Sequence, residues 1–183
     1  WSHVVVSYNG DSRTLRLYVD GEEVGAKETN NLLSNLPLLT GAYLGRSQWS
    51  IDPDFYGYID DFKIYSRTLS GDEINEEAEN GFQQLADNTL ERLDLAAENG
   101  LESLTGVVDD LALPSAVEGV EIDWSSDNAA ALSDAGKVGD VAGATQVTLT
   151  ATATKGDKTQ EKDFAVTVVP AGEVTVDEIE DIV

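Results

Sequence analysis

Between Asn9-Gly10-Asp11 and Asp20-Gly21 lies the run Thr14 to Val19, in which Leu15, Leu17 and Val19 alternate with Arg16 and Tyr18. An apolar side chain at every second position puts one face of an extended strand toward a core. Asn-Gly and Asp-Gly supply the positive φ angles that tight hairpins need. A strand entered and left through such turns can only pair antiparallel with its sequence neighbours, because a parallel neighbour needs a long crossover. Trp1 to Tyr8 (WSHVVVSY) reads as the strand before it and residues 22 to 27 as the strand after it, so the chain opens as an antiparallel meander.

The pattern then loosens. Residues 29 to 39 turn from polar to leucine-rich around Pro37 and read as a loop; Ala42 to Arg46 (AYLGR) reads as a short strand, and residues 47 to 55 as an exposed loop carrying Trp49, with Asp52 and Asp54 around Pro53. In the stretch FYGYIDDFKIYSRTLS, Tyr58, Asp60, Phe62 and Ile64 share one face of a predicted strand, and Ile59, Asp61, Lys63 and Tyr65 share the other. Phe62 and Ile64 mark the first face as core. An ionised Asp60 there needs a partner, since a lone buried carboxylate costs several kcal/mol. Ser70 and Glu73 have the spacing of a capping box, which predicts one or two helical turns over 71 to 79.

Phe82, Leu85, Leu90 and Leu93 are spaced as on a helix, but the segment is acidic, and residues 81 to 103 read as a connector. From Leu104 short apolar runs with turn signals return at 106 to 112, 119 to 124, 129 to 133, 136 to 141, 145 to 154 and 162 to 169. In the clearest, Val147, Leu149, Ala151 and Ala153 face inward and threonines outward, as do Phe164, Val166 and Val168 against their neighbours. This density of strands is what a small β-sandwich requires. The domain reading is therefore 1 to 80, a connector at 81 to 103, a sandwich at 104 to 170 that could start as early as 86, and an acidic linker at 171 to 183.

The chain has 35 acidic residues against 11 Lys and Arg, a formal net charge of −24. Such a surface repels nucleic-acid backbones and anionic membranes, which argues against nucleic-acid partners. No apolar run is long enough for membrane insertion. With no Cys, the chain has no disulfide framework, thiolate nucleophile or Cys metal site. Trp1 in place of an initiator Met reads as the start of an excised piece.

The motifs WSHVVVSYNG, LRLYVDGEEV, AYLGR and FYGYIDDFKIYSRTLSGDEI, in that order, resemble the second half of a laminin-G-like, concanavalin A-like jelly roll. LALP, IDWSSDN, the Gly136-Lys137-Val138 turn, VTLTATAT and FAVTVV are similar to degenerate bacterial immunoglobulin-like domains. The implied fold class is all-β: a truncated concanavalin-type jelly roll followed by an Ig-like β-sandwich. The implied function is non-catalytic, carbohydrate binding and spacing within a larger secreted bacterial glycoside hydrolase. The alternative is a structural or protein-binding role in a bacterial adhesin or cell-surface protein. Implied partners are a polysaccharide or glycan, the upstream strands of the same jelly roll, or a catalytic domain of the parent chain; the implied location is extracellular or on the bacterial cell surface.

The same resemblance implies a structural calcium at Asp60. A hydrogen-bonded or Arg-paired buried carboxylate, or plain solvent exposure, are the other readings, and one carboxylate supplies at most two of the six to eight oxygens calcium takes. Trp49, Tyr43, Tyr56 and Arg46 form the candidate sugar-contacting set, because aromatic faces stack on sugar rings and Arg donates to hydroxyls, and loops are where binding residues concentrate. Sheet packing is the competing role for Tyr43 and Tyr56. Trp1 and Trp124 fit strand patterns as core residues, and His3 reads as a structural or exposed strand histidine. No nucleophile, metal cluster or facing carboxylate pair can be assembled for catalysis.

Overall fold

The computed structural model describes residues 1–30, 32–35 and 41–171, without the side chain of Leu33. The acidic linker beyond 171, with the acids at 177 to 181, and part of the 29 to 39 loop, Pro37 included, lie outside the described residues. The described chain forms two compact units, Ser2–Ala78 and the residues from Glu79 onward, with Trp1 counted with the latter. Both are built on β-sheets, and the fold class is all-β.

In the first unit β1 (Val4–Asn9), β2 (Thr14–Val19) and β3 (Glu22–Glu28) form an antiparallel sheet in the order β1-β2-β3. The predicted meander is thus present, with Asp20 and Gly21 in the turn at φ 51° and 87°. Asp20 also clamps the start of β1: its N–H donates to the His3 carbonyl at 2.8 Å and its Oδ1 accepts from the His3 N–H at 2.8 Å. Val4 pairs with Val19, Val6 with Leu17 and Tyr8 with Leu15, so these side chains share one face. That face is open: Val4, Val6, Leu15 and Leu17 are 59, 66, 42 and 40% exposed. The alternation predicted an inward face, but among the described residues no second layer covers it.

The two further strands expected in this unit are absent. Residues 42 to 46 and 58 to 65 form no ladder, and Phe62 and Ile64 are exposed instead of lining a core. An extended segment becomes a strand only when a neighbouring strand pairs with it in a ladder, and among the described residues neither segment has such a partner. Trp1, expected in a core, is 41% exposed.

The capping box forms as read. The Glu73 N–H donates to Ser70 Oγ at 3.2 Å, and the Ser70 N–H donates to Glu73 Oε2 at 2.8 Å. The helix it starts, α1 (Gly71–Arg92), is far longer than the predicted turns and includes much of the supposed connector. Its residues to Ala78 count with the first unit and those from Glu79 with the second. Asp94 then caps the short α2 (Leu95–Glu98) by accepting from the N–H groups of Ala96 and Ala97.

The second unit contains β4 (Thr105–Val107), β5 (Ala116–Val117), β6 (Val120–Ser126), β7 (Thr145–Lys155) and β8 (Lys158–Val168). Their order is β4-β8-β7-β6-β5, with β4 parallel to β8 and the other pairs antiparallel. The β7–β8 hairpin carries the inward residues read from sequence. Leu149 lies opposite Phe164 and Val147 opposite Val166, and all four are buried. The register aligns Ile122 with Ala153 and Trp124 with Ala151 on the same face. Two expected strands are replaced by irregular chain: of 129 to 133 and 136 to 141 only the Leu132–Val138 bridge remains. Gly136 at φ 74° and an Asp110 clamp hold these turns, Lys137 Nζ and the Val138 N–H both donating to its carboxylate. The layer over the sheet is instead made of Leu111, Ala131 and Leu132 from irregular segments, with Ala86, Leu90 and Leu95 from the helices and Leu93 from the link between them.

Candidate functional site

The candidate sugar-contacting residues all fall in one closed loop and its base. The Phe55 N–H donates to the Gly45 carbonyl at 2.6 Å, pinning the ends of the segment between them. Gly45 sits at φ 75°, which a side chain there would resist. Within the loop the Trp49 N–H donates to Ser47 Oγ at 3.1 Å, and the Asp52 N–H donates to the Trp49 carbonyl at 3.2 Å. Local side-chain acceptors of this kind hold the backbone in turns without a sheet. The loop thereby displays Trp49 at 72% and Ile51 at 90% exposure.

At the base, the Arg46 guanidinium lies over the Tyr43 ring, 4.4 Å from its centroid, a cation–π contact. Tyr43 is half-exposed, so sheet packing, its competing role, is not what it does here. Tyr56 follows the closing hydrogen bond and is fully exposed. The structure therefore brings Tyr43 and Arg46 together, places Trp49 three residues on in the same loop, and leaves Tyr56 just outside it. Phe55 and Tyr58 are also exposed and were not among the sequence candidates; Phe55 was read as the end of the 47 to 55 loop and Tyr58 as part of the strand that follows.

Asp60 is placed differently from its reading. It is exposed, and its Oδ1 accepts from the Asp61 N–H at 2.9 Å, with Asp61 at φ 50°. With no buried carboxylate, the need for a partner that the strand reading raised disappears. Among the described residues no group of three or more His, Asp or Glu is arranged to hold a metal ion.

Other charged groups act within the scaffold. Lys63 Nζ pairs with Glu77, which also accepts from the Tyr65 hydroxyl at 2.8 Å; these contacts hold the Glu77 carboxyl below its usual range. Arg67 grips Glu73 through two nitrogens at 2.8 and 2.6 Å. That pairing, with the Ser70 N–H, lowers the Glu73 carboxyl from 4.5 to about 2. Asp109 and Asp140 border a surface cavity of about 390 Å³, where Asp110 is already engaged by Lys137. His3 is half-buried with its Nδ1 lacking a hydrogen-bond partner among the described residues.

Comparison with known families agrees with the motif order. Residues 1–75 match the concanavalin A-like lectin/glucanases superfamily, and residues 86–171 match the atrophied bacterial Ig domain. The chain thus carries these two domain types in tandem. No curated protein matches it. Among solved structures, it is similar to a segment of an S-layer domain-containing protein from Clostridium thermocellum ATCC 27405 at 40% identity, with a TM-score of 0.35. The similarity covers 43% of this chain and 39% of that one. No helix among the described residues is long and apolar enough to cross a membrane.

Proposed function

We propose that this chain is a non-catalytic pair of modules from a bacterial cell-surface or secreted protein, in which the first unit binds carbohydrate and the second acts as a spacer. The observation that carries this reading is the loop closed between Gly45 and Phe55, with exposed Trp49 within it, the Tyr43–Arg46 stack at its start and exposed Tyr56 directly after it. Large aromatic surface held out in water by local hydrogen bonds serves no core, and its ring faces suit the apolar faces of sugars. The Ig-like unit contributes a buried apolar core and a half-exposed threonine-rich face, which is what a stalk between functional modules needs. A glycoside hydrolase is the parent protein that this pairing suits.

The open apolar face of β1 to β3 belongs to the same reading. Further strands of the same jelly roll, supplied by the parent protein, would cover Val4, Val6, Leu15 and Leu17, whose exposure in water is otherwise unfavourable.

Affinity electrophoresis of the chain through gels containing plant and host polysaccharides tests the binding role. Retardation by at least one polymer, lost in Trp49→Ala and Tyr56→Ala variants with unchanged melting curves, is expected. Retention that both variants leave intact would show that these rings are not the contact. Binding to a host protein with no polysaccharide retardation would favour the adhesin alternative.

A further inference from the structure

We propose that the loop closed by Gly45 and Phe55 selects an acidic polysaccharide, with Arg46 clamping the carboxylate of a uronic acid residue and Trp49 stacking on its ring. This rests on the carbohydrate-binding reading above and names the class of sugar. The argument starts from how the chain spends its few cations. Of 11 Lys and Arg among 183 residues, Arg16, Lys63, Arg67, Lys137 and Lys158 form ion pairs with acidic side chains. Lys162 is taken up by the carbonyls of Leu90 and Leu93. Arg13, Lys27, Arg46, Arg92 and Lys155 make no ion pair among the described residues, and of these Arg46 is the one stacked on an aromatic ring, in a loop that also carries Asp52 and Asp54. Its contact is the Tyr43 ring, 4.4 Å from the guanidinium carbon.

That contact decides what Arg46 can still do. A guanidinium lying over a ring has one face covered, while its N–H donors project from the edge of the plane. A planar fork of donors without an internal acceptor fits the two oxygens of a carboxylate. The stack also limits the side chain's rotational freedom, so less is lost when a ligand binds. A neutral hexose can offer the fork two vicinal hydroxyl oxygens, but a uronate offers two coplanar oxygens and adds the charge that strengthens both bonds. The chain's overall negative charge slows the approach of an anionic polymer, but at physiological salt distant carboxylates are screened within about 8 Å.

The test is affinity electrophoresis of the whole chain in gels containing polygalacturonate, the same polymer after carboxyl reduction, and a neutral β-glucan. The expected result is retardation by polygalacturonate, at least tenfold weaker after carboxyl reduction and at least tenfold weaker in Arg46→Gln. Arg46→Lys, which keeps the charge without the fork, should recover only part of the affinity. Arg46 is exposed, so unchanged thermal melts of these variants separate a lost contact from a lost fold. Equal binding to native and reduced polymer, or an Arg46→Gln variant that binds as the wild type does, would overturn the acidic selectivity while leaving carbohydrate binding in place. Full recovery in Arg46→Lys would overturn the two-oxygen clamp. An absence of retardation by all three polymers would overturn this inference, and a wider polysaccharide panel that also failed would overturn the underlying reading.

Discussion

Truncating Leu90 to Ala tests whether the last turns of α1 are part of the Ig-like core. Leu90 is 2% exposed and packs in one cluster with Val147, Leu149, Ala151 and Val166. The lost apolar transfer is about 2 kcal/mol, at roughly 0.8 kcal/mol per methylene. The cavity left between helix and sheet raises this to about 3–5 kcal/mol, because both walls are tied down by hydrogen bonds and collapse only partly. At a urea dependence of roughly 1–1.5 kcal/mol per molar for a unit this size, the midpoint should fall by about 2 M or more. Trp124 reports the transition, since its ring lies 5.6 Å from Phe164 and its Nε1–H donates to the Pro114 carbonyl at 2.9 Å. Trp1 and Trp49 are 41% and 72% exposed, so their emission changes little on unfolding. Gln84→Ala, on the exposed side of the same helix, is the control and should leave the midpoint unchanged. If Leu90→Ala shifted the midpoint no more than Gln84→Ala does, the helix would be a connector and its assignment to the core would fail.

Three further outcomes are expected. Lys162→Met keeps the stem over Phe164 but removes the donors to the Leu90 and Leu93 carbonyls, both at 2.8 Å; chemical denaturation should show a loss of about 1–3 kcal/mol. Gly136→Ala should destabilise the second unit by at least about 2 kcal/mol in the same assay, because a Cβ there would lie 2.1 Å from the Leu111 carbonyl oxygen at a φ of 74°. Glu73, lowered from 4.5 to about 2 chiefly by Arg67 and then by the Ser70 N–H, contributes stability that is fully present above its ordinary value and is lost as pH falls through the folded value. Thermal melts from pH 5 down to 2 should therefore show the gap between wild type and Glu73→Gln closing; a gap constant across that range would contradict the assignment.

The local sequence was decisive wherever neighbours in the chain supply the physics. Asp20-Gly21 set the β2–β3 hairpin, Ser70 and Glu73 the helix start, and the alternation from Val147 to Ala153 the inward face of β7. In the β1–β2 turn the positive φ falls on Arg13 instead of Asn9-Gly10, and Asn9 contributes through its side chain, which accepts from the Asp11 and Ser12 N–H groups. The exposed loop carrying Trp49 was also legible, since Trp49 and Pro53 in a polar stretch already signal exposure. The Phe55-to-Gly45 bond that closes it was not, because a hydrogen bond across the loop has no signature in the residue order.

What the amino-acid sequence determined by itself is the two-domain, all-β identity of the chain, because hairpin turns, caps and strand alternation act over a few residues and carry their signals in order. Only the tertiary structure decided where those elements found partners. Tyr58 to Tyr65 has a strand's alternation but no ladder partner among the described residues, and Asp60 faces water. Leu90 and Leu93 look like part of an acidic connector, yet they belong to a core because β7 and β8 offer the apolar face that these two leucines cover. Burial and strand pairing depend on surfaces supplied by residues far away in the chain, and periodicity shows only which side would meet them.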